Sequence, residues 1–164
     1  MHQTFMQRAL EIARQSLDRP GTLPFGAVVV RDGQIVGEGL NRSFELHDPT
    51  SHGEVEAIRD ACQRLGTTDL SGCDLYTSCE PCAMCAATMY QAGIARIFYA
   101  GDFADSAGMF GRLGEHDAKW RRRIAAADLR REVGLPTQQR SMPAERLMAD
   151  ENRAIFAEFA RRNT

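Results

Sequence analysis

The sequence predicts an α/β fold in which helices cover both faces of a sheet. Three observations carry this expectation. Apolar residues recur at helical spacing over 5–17, a β-branched run follows at 25–30, and helix-like and strand-like stretches then alternate up to residue 100. At 164 residues, 43% hydrophobic and 26% charged, the chain reads as one globular domain over 1–164. Its core spans about 5–101, and a helical C-terminal segment spans about 115–164.

Phe5, Met6, Ala9, Leu10, Ile12, Ala13 and Leu17 give the first helix one apolar stripe. Pro20, within Asp18 to Gly21, stops it. Phe25 to Val30 is apolar and β-branched, as a buried strand requires. Asp32-Gly33 makes a hairpin turn, and Gln34 to Leu40 returns as a second strand that Asn41 closes. Asp48-Pro49-Thr50-Ser51 caps a helix from about His52 to Leu65, with Gly66 beyond it. Leu70 to Thr77 is a short strand. Pro81 is placed as the first residue of a helix that runs to about Ala92, where Gly93 ends it, and Ile94 to Ala100 is the next strand. Beyond Gly101 the pattern weakens. Asp102 to Gly114 is rich in Gly and reads as a loop. Glu115 to Val133 reads as helix and carries Arg121-Arg122-Arg123 and Arg130-Arg131, read as solvated helix faces. Gly134-Leu135-Pro136 breaks it, and Pro143 to Arg162 is a further helix with Leu147, Met148, Ile155, Phe156 and Phe159 on its apolar side.

A net charge of −2 and a pI near 6.1 argue against a broad electrostatic grip on nucleic acid. No apolar run reaches the length of a membrane span, and Met1-His2-Gln3-Thr4 lacks the build of a signal peptide, so a cytoplasmic protein with no membrane partner is expected. Five cysteines is an odd number, and Cys79, Cys82 and Cys85 lie within seven residues. That clustering points to metal binding in a reducing compartment rather than to disulfides. Cys62 and Cys73 read as small buried hydrophobes.

His52, Cys82 and Cys85 form a ligand set that zinc prefers, and three protein ligands leave a fourth position open for water. Zinc so bound makes a nucleophile near neutral pH. Cys82 and Cys85 are three apart and share one helix face. His52 and Glu54 are two apart, so both reach the metal region only from a helix start. Two helix N-termini are therefore expected to converge, with Glu54 placed to move protons. The competing reading is structural: Cys79, Cys82 and Cys85 also resemble part of an iron–sulfur run or a closed zinc site. Position 89 is Met where such a run needs its fourth Cys, and a structural site has no use for Glu54.

His-x-Glu followed by Pro-Cys-x-x-Cys is the signature of zinc deaminases that act on nucleobases. Here it is His52-Gly53-Glu54 and Pro81-Cys82-Ala83-Met84-Cys85. With Pro24-Phe25-Gly26-Ala27, Gly39-Leu40-Asn41-Arg42, His47 to Val55 and Leu75 to Cys82, residues 5–101 resemble the cytidine-deaminase superfamily, its guanine deaminase and tRNA adenosine deaminase branches above all. The resemblance implies a three-layer α/β/α deaminase fold with a mixed five-stranded central sheet and antiparallel first strands. It also implies a homodimer or larger assembly. Its matching Asn hydrogen-bonds the base, which sets a substrate role for Asn41 beside the plain reading of a turn residue. Phe25 is a pocket wall or core residue, able to flank a planar ring, and Gly53 stands where the family usually has Ala, at the pocket floor. Glu80 reads as structural, His47 and His116 as surface residues, and Asp102 and Asp105 as weak candidates for a substrate amino group.

The implied reaction is hydrolytic deamination. Glu54 takes a proton from zinc-activated water, hydroxide attacks the ring carbon that bears the amino group, and Glu54 returns protons to ring nitrogen and leaving ammonia. The expected substrate is a small-molecule nucleobase, guanine first, and not nucleic acid. A tRNA enzyme must grip phosphates, whereas Lys119 is the single lysine and few arginines lie beside the motif. The acidic, aromatic tail pattern of guanine deaminases is absent after Gly108. The rival activity is tRNA adenosine deamination.

Overall fold

The computed structural model describes residues 1–121 and 123–164, so Arg122 of the arginine run lies outside the described residues. The chain divides into two compact units, Met1–Leu129 and Arg130–Thr164.

In the first unit, helix α1 (His2–Arg14) buries Phe5, Ala9, Ile12 and Ala13, a stripe at helical spacing. Strands β1 (Leu23–Arg31) and β2 (Gln34–Asn41) form an antiparallel hairpin. Its turn residues Asp32 and Gly33 have φ of 52° and 75°, the pair of left-handed conformations that matches the strand twist. Helix α2 (Gly53–Leu65) follows and ends at Gly66, whose φ of 65° lets the chain leave the helix. Strand β3 (Asp74–Cys79) leads into helix α3 (Ala83–Ala92), and strand β4 (Arg96–Gly101) into helix α4 (Phe103–His116).

The sheet order is β2-β1-β3-β4, with β1 antiparallel to both neighbours and β3 parallel to β4. Alternating side chains divide the core in two. Val28, Val30 and Tyr76 pack against Phe5, Ala9 and Ile12 of α1 on one face. Ala27, Val29 and Leu75 pack against Val55, Ile58 and Ala61 of α2 and Met89 of α3 on the other. The arrangement is an α/β sandwich, helices on both faces of a mixed sheet. Gly37 and Gly39 allow α2 its approach to β2. A Cβ added at Gly39 would lie 2.1 Å from the Gly53 carbonyl oxygen, and one at Gly37 would lie 2.3 Å from that of Ala57.

Several expectations are corrected. The described residues contain a four-stranded sheet, not five. Where a loop was expected over 102–114, α4 forms: the Asp102 and Asp105 carboxylates each accept from the other's backbone N–H and cap its start. The strand expected from Leu70 begins at Asp74, because Asp69 accepts from the N–H and hydroxyl of Ser71 and Gly72 turns at φ 80°. Pro81 precedes α3 rather than beginning it, since Cys82 is the N-cap. The helix expected over 115–133 is interrupted: α4 ends at His116, a 3-10 turn covers Ala118–Trp120, and α5 (Ala126–Gly134) follows.

In the second unit, helix α6 (Ala149–Asn163) begins later than the Pro143 start that the sequence suggests. The segment before it is tied by Ser141, whose N–H and hydroxyl donate to the Glu132 carboxylate at 2.8 and 2.9 Å. Ile155, Phe156 and Phe159 of α6 are exposed. No described helix is long and apolar enough to cross a membrane.

Candidate active site

Two helix starts meet at the site. His52 is the N-cap of α2 and Cys82 the N-cap of α3, both in extended backbone. An N-cap side chain points back past the helix end, so the two caps face a common space. Cys85 enters it from the first turn of α3. The Nδ1 atom of His52 lies 3.6 Å from the Cys82 sulfur and 3.4 Å from the Cys85 sulfur, and the sulfurs are 3.6 Å apart. Candidate ligand atoms of all three fall within 4.8 Å of one another.

These edges can be tested against zinc. Tetrahedral bonds of about 2.3 Å to sulfur and about 2.0–2.1 Å to nitrogen put sulfur about 3.8 Å from sulfur and about 3.6 Å from nitrogen. The observed edges agree within about 0.2 Å, and the donor set is soft. Cys79 is not part of this cluster; its thiol donates to the Asp102 carbonyl at 3.5 Å.

The electrostatics suit a cation. The Cys82 thiol is drawn down to about 4, first by its hydrogen bond with Cys85, and the same bond together with burial pushes the Cys85 thiol up. Holding a divalent cation requires both sulfurs as thiolates, so its binding would release protons from this pair. The starts of α2 and α3, positive ends of their helices, favour the thiolate form of the cysteines rather than the cation itself. Glu54, in the first turn of α2, is 6% exposed, and burial raises its carboxyl above the ordinary range.

His52, Glu54 and Cys82 open on a cavity of about 730 Å³, whose lining also includes Asn41, Phe25 and Glu80. Asn41 is 1% exposed. Its amide oxygen accepts from the Ser43 N–H at 3.1 Å and hydroxyl at 2.7 Å, so Ser43 takes up its acceptor capacity and leaves the amide nitrogen as the group able to bind a base. An Asn41 that donates and accepts together toward a base is therefore not what the geometry provides. Gly53 does not line the cavity. It faces the sheet, where a Cβ would lie 2.5 Å from the Phe25 carbonyl oxygen. His47 is exposed at the cavity rim, and His116 is exposed elsewhere. Asp102 and Asp105 are engaged in capping α4 and do not line the cavity.

The lining residues that the sequence reading missed include Ser43, Phe103, Ser106, Phe110 and Trp120. Phe103, Ser106 and Phe110 stand at i, i+3 and i+7 on one face of α4, a period visible in the sequence once Asp102-x-x-Asp105 is read as a helix start. Gly108, Gly111 and Gly114 obscured it. Trp120 meets Phe44 edge-on at 5.2 Å, a long-range pairing that left no local signal. Folding also brings Lys119, Arg121 and Arg123 to the cavity lining, so basic residues are not remote from the motif.

Comparison with known proteins follows the same outline. Residues 1–101 match the model of the cytidine and deoxycytidylate deaminase zinc-binding region. A guanine deaminase of Bacillus subtilis (strain 168) is 37% identical over 155 residues, covering 94% of this chain and 91% of that protein. The X-ray structure of guanine deaminase from Bacillus subtilis superposes with a TM-score of 0.82 at 36% identity, covering 100% of this chain and 95% of that one. A tRNA-specific adenosine deaminase of Agrobacterium fabrum is 46% identical over 95 residues, covering 58% of this chain and 62% of that protein.

Proposed function

The chain belongs to the cytidine and deoxycytidylate deaminase family, and from that premise we propose that its cavity deaminates a free purine base, guanine foremost, by zinc-dependent hydrolysis. The observation that carries the proposal is the meeting of His52, Cys82 and Cys85 beside one buried carboxyl, Glu54, in a cavity with an amide donor, Asn41. A structural metal site has no need of such a carboxyl. His52, Cys82 and Cys85 would hold zinc, which would supply acidified water as the nucleophile. Glu54 accepts its proton and then donates at the ring nitrogen and the departing amino group; its raised pKa suits both directions. The Asn41 amide nitrogen donates to a ring acceptor and fixes the base in plane. Phe25 supplies an apolar wall.

Guanine is favoured because the match to the guanine deaminase runs through 94% of the chain, whereas the match to the tRNA enzyme covers 58%. One observation favours the second reading. Lys119, Arg121 and Arg123 at the cavity lining are the charges a phosphate backbone requires. Competition between free bases and a tRNA carrying adenosine at the wobble position, read as ammonia and as inosine, decides. Inosine in the tRNA with every free base inert would transfer the chain to the rival activity.

We further propose a homodimer in a reducing cytoplasm. The exposed Ile155, Phe156 and Phe159 give α6 an apolar face that a second copy can cover, and the five cysteines are free.

A further inference from the structure

Among the described residues, two pairs of near-parallel aromatic rings differ in spacing. Tyr76 and Phe98 are closed on each other, with centroids 4.6 Å apart and planes 9° apart. Phe25 and Phe110 are also stacked, at 21°, but their centroids stand 6.1 Å apart. Both of these rings line the cavity that contains His52, Glu54 and Asn41. Carbon atoms pack best at roughly 3.5 Å, so a flat heterocycle between two rings needs them about 7 Å apart. Centroid spacing is an upper bound on the gap between faces, so the Phe25–Phe110 pair is at least about 1 Å short of that separation and the Tyr76–Phe98 pair at least about 2 Å short.

The two walls differ in how they are held. Phe25 sits on β1, inside the sheet. Phe110 sits on α4, where Cβ atoms added at Gly108 and Gly111 would meet nothing within 4 Å. Space beside α4 leaves room for the small outward shift that a ligand requires.

We propose that Phe110 is the second wall of an aromatic slot, Phe25 being the first, that clamps the flat ring of the substrate and favours a bicyclic base over a monocyclic one. The preference follows from overlap: a fused ring system covers more of both faces. The proposal deepens the deaminase reading of this cavity and rests on it.

The test uses the zinc-loaded Glu54→Gln protein, which binds without turnover. Binding of guanine, adenine and cytosine is measured at equilibrium, together with the ultraviolet hypochromism that stacking gives the bound base. Phe110→Ala is expected to weaken the purines by about ten- to a hundred-fold, and cytosine by less. Phe110→Leu preserves apolar bulk without a ring face, so it should lose the hypochromism and much of the purine affinity, while Phe110→Tyr should retain both. Zinc content and melting temperature identify any variant that has not folded. Phe110→Leu with undiminished purine affinity and hypochromism overturns the slot alone. A Glu54→Gln parent that binds none of the three bases overturns the slot and the deaminase reading together.

Discussion

Glu54 and the cysteines make separable demands on the site. Cys82→Ser removes a soft donor whose thiol already sits near 4, so metal analysis should show zinc falling from about one equivalent to a small fraction. Glu54→Gln keeps the shape and the three ligand atoms. It should retain zinc and fold but lose turnover by roughly 10²–10⁴-fold or more, since one carboxylate serves successive proton transfers. A Glu54→Gln enzyme that kept most of its rate would remove Glu54 from the mechanism. Asn41 is predicted to act as a donor only, its oxygen being held by Ser43. Asn41→Ala should lower kcat/KM by about ten- to a hundred-fold, on the order of 1–3 kcal/mol for a lost buried hydrogen bond, with zinc retained. Ser43→Ala should cause a smaller loss by letting the amide turn; unchanged kinetics in both variants would leave Asn41 a turn residue.

At the scale of elements, the seating of α2 decides where His52 and Glu54 stand. A methyl group at Gly39 meets backbone, not a flexible side chain, so α2 must move. Gly39→Ala should cost about 1–3 kcal/mol in denaturant unfolding and lower turnover as well, because the displaced helix carries both residues. A stability loss with full activity would separate α2 seating from the site. Helix α1 is tied to β2 by two near-parallel bonds, Arg8 Nε to Glu38 Oε1 at 2.7 Å and Arg8 Nη2 to Oε2 at 2.8 Å. These bonds hold the Glu38 carboxyl below its ordinary range. Stability from a depressed carboxylate is present above the unfolded pKa and lost as pH falls through the folded one. Both side chains are about a third exposed, so the pair contributes at most about 1 kcal/mol. Glu38→Gln should therefore be slightly less stable than wild type at neutral pH, with the gap closing in acid. A gap that persists in acid would mean that packing, not charge, links α1 to β2.

For the whole molecule, sedimentation should give the mass of a dimer. Phe156→Glu with Phe159→Glu should shift it to monomer, since charges on an α6 face buried by a second copy cannot be desolvated cheaply. Monomeric wild-type protein at micromolar concentration would remove the assembly from the proposal.

The sequence by itself determined the elements whose signals are local. A helical-period apolar stripe located α1 and a continuous β-branched run located β1, while Asp32-Gly33, Gly66 and Gly93 marked the hairpin turn and the ends of α2 and α3 within a residue or two. It also named the side chains that converge, because His52, Glu54, Cys82 and Cys85 are reactive types whose spacing only helix starts can reconcile. It failed where glycines masked a helix period, over α4, and so missed Phe103 and Phe110; the fifth strand, implied by the family resemblance alone, does not form among the described residues. Only the tertiary structure decided which residues share the cavity. Gly53 faced the sheet instead of the pocket, and Lys119, Arg121 and Arg123 came round to the lining. Local patterns report hydrogen bonds made within a few residues. Membership of a cavity depends instead on how whole elements pack across a sheet, a long-range outcome that no short window of sequence contains.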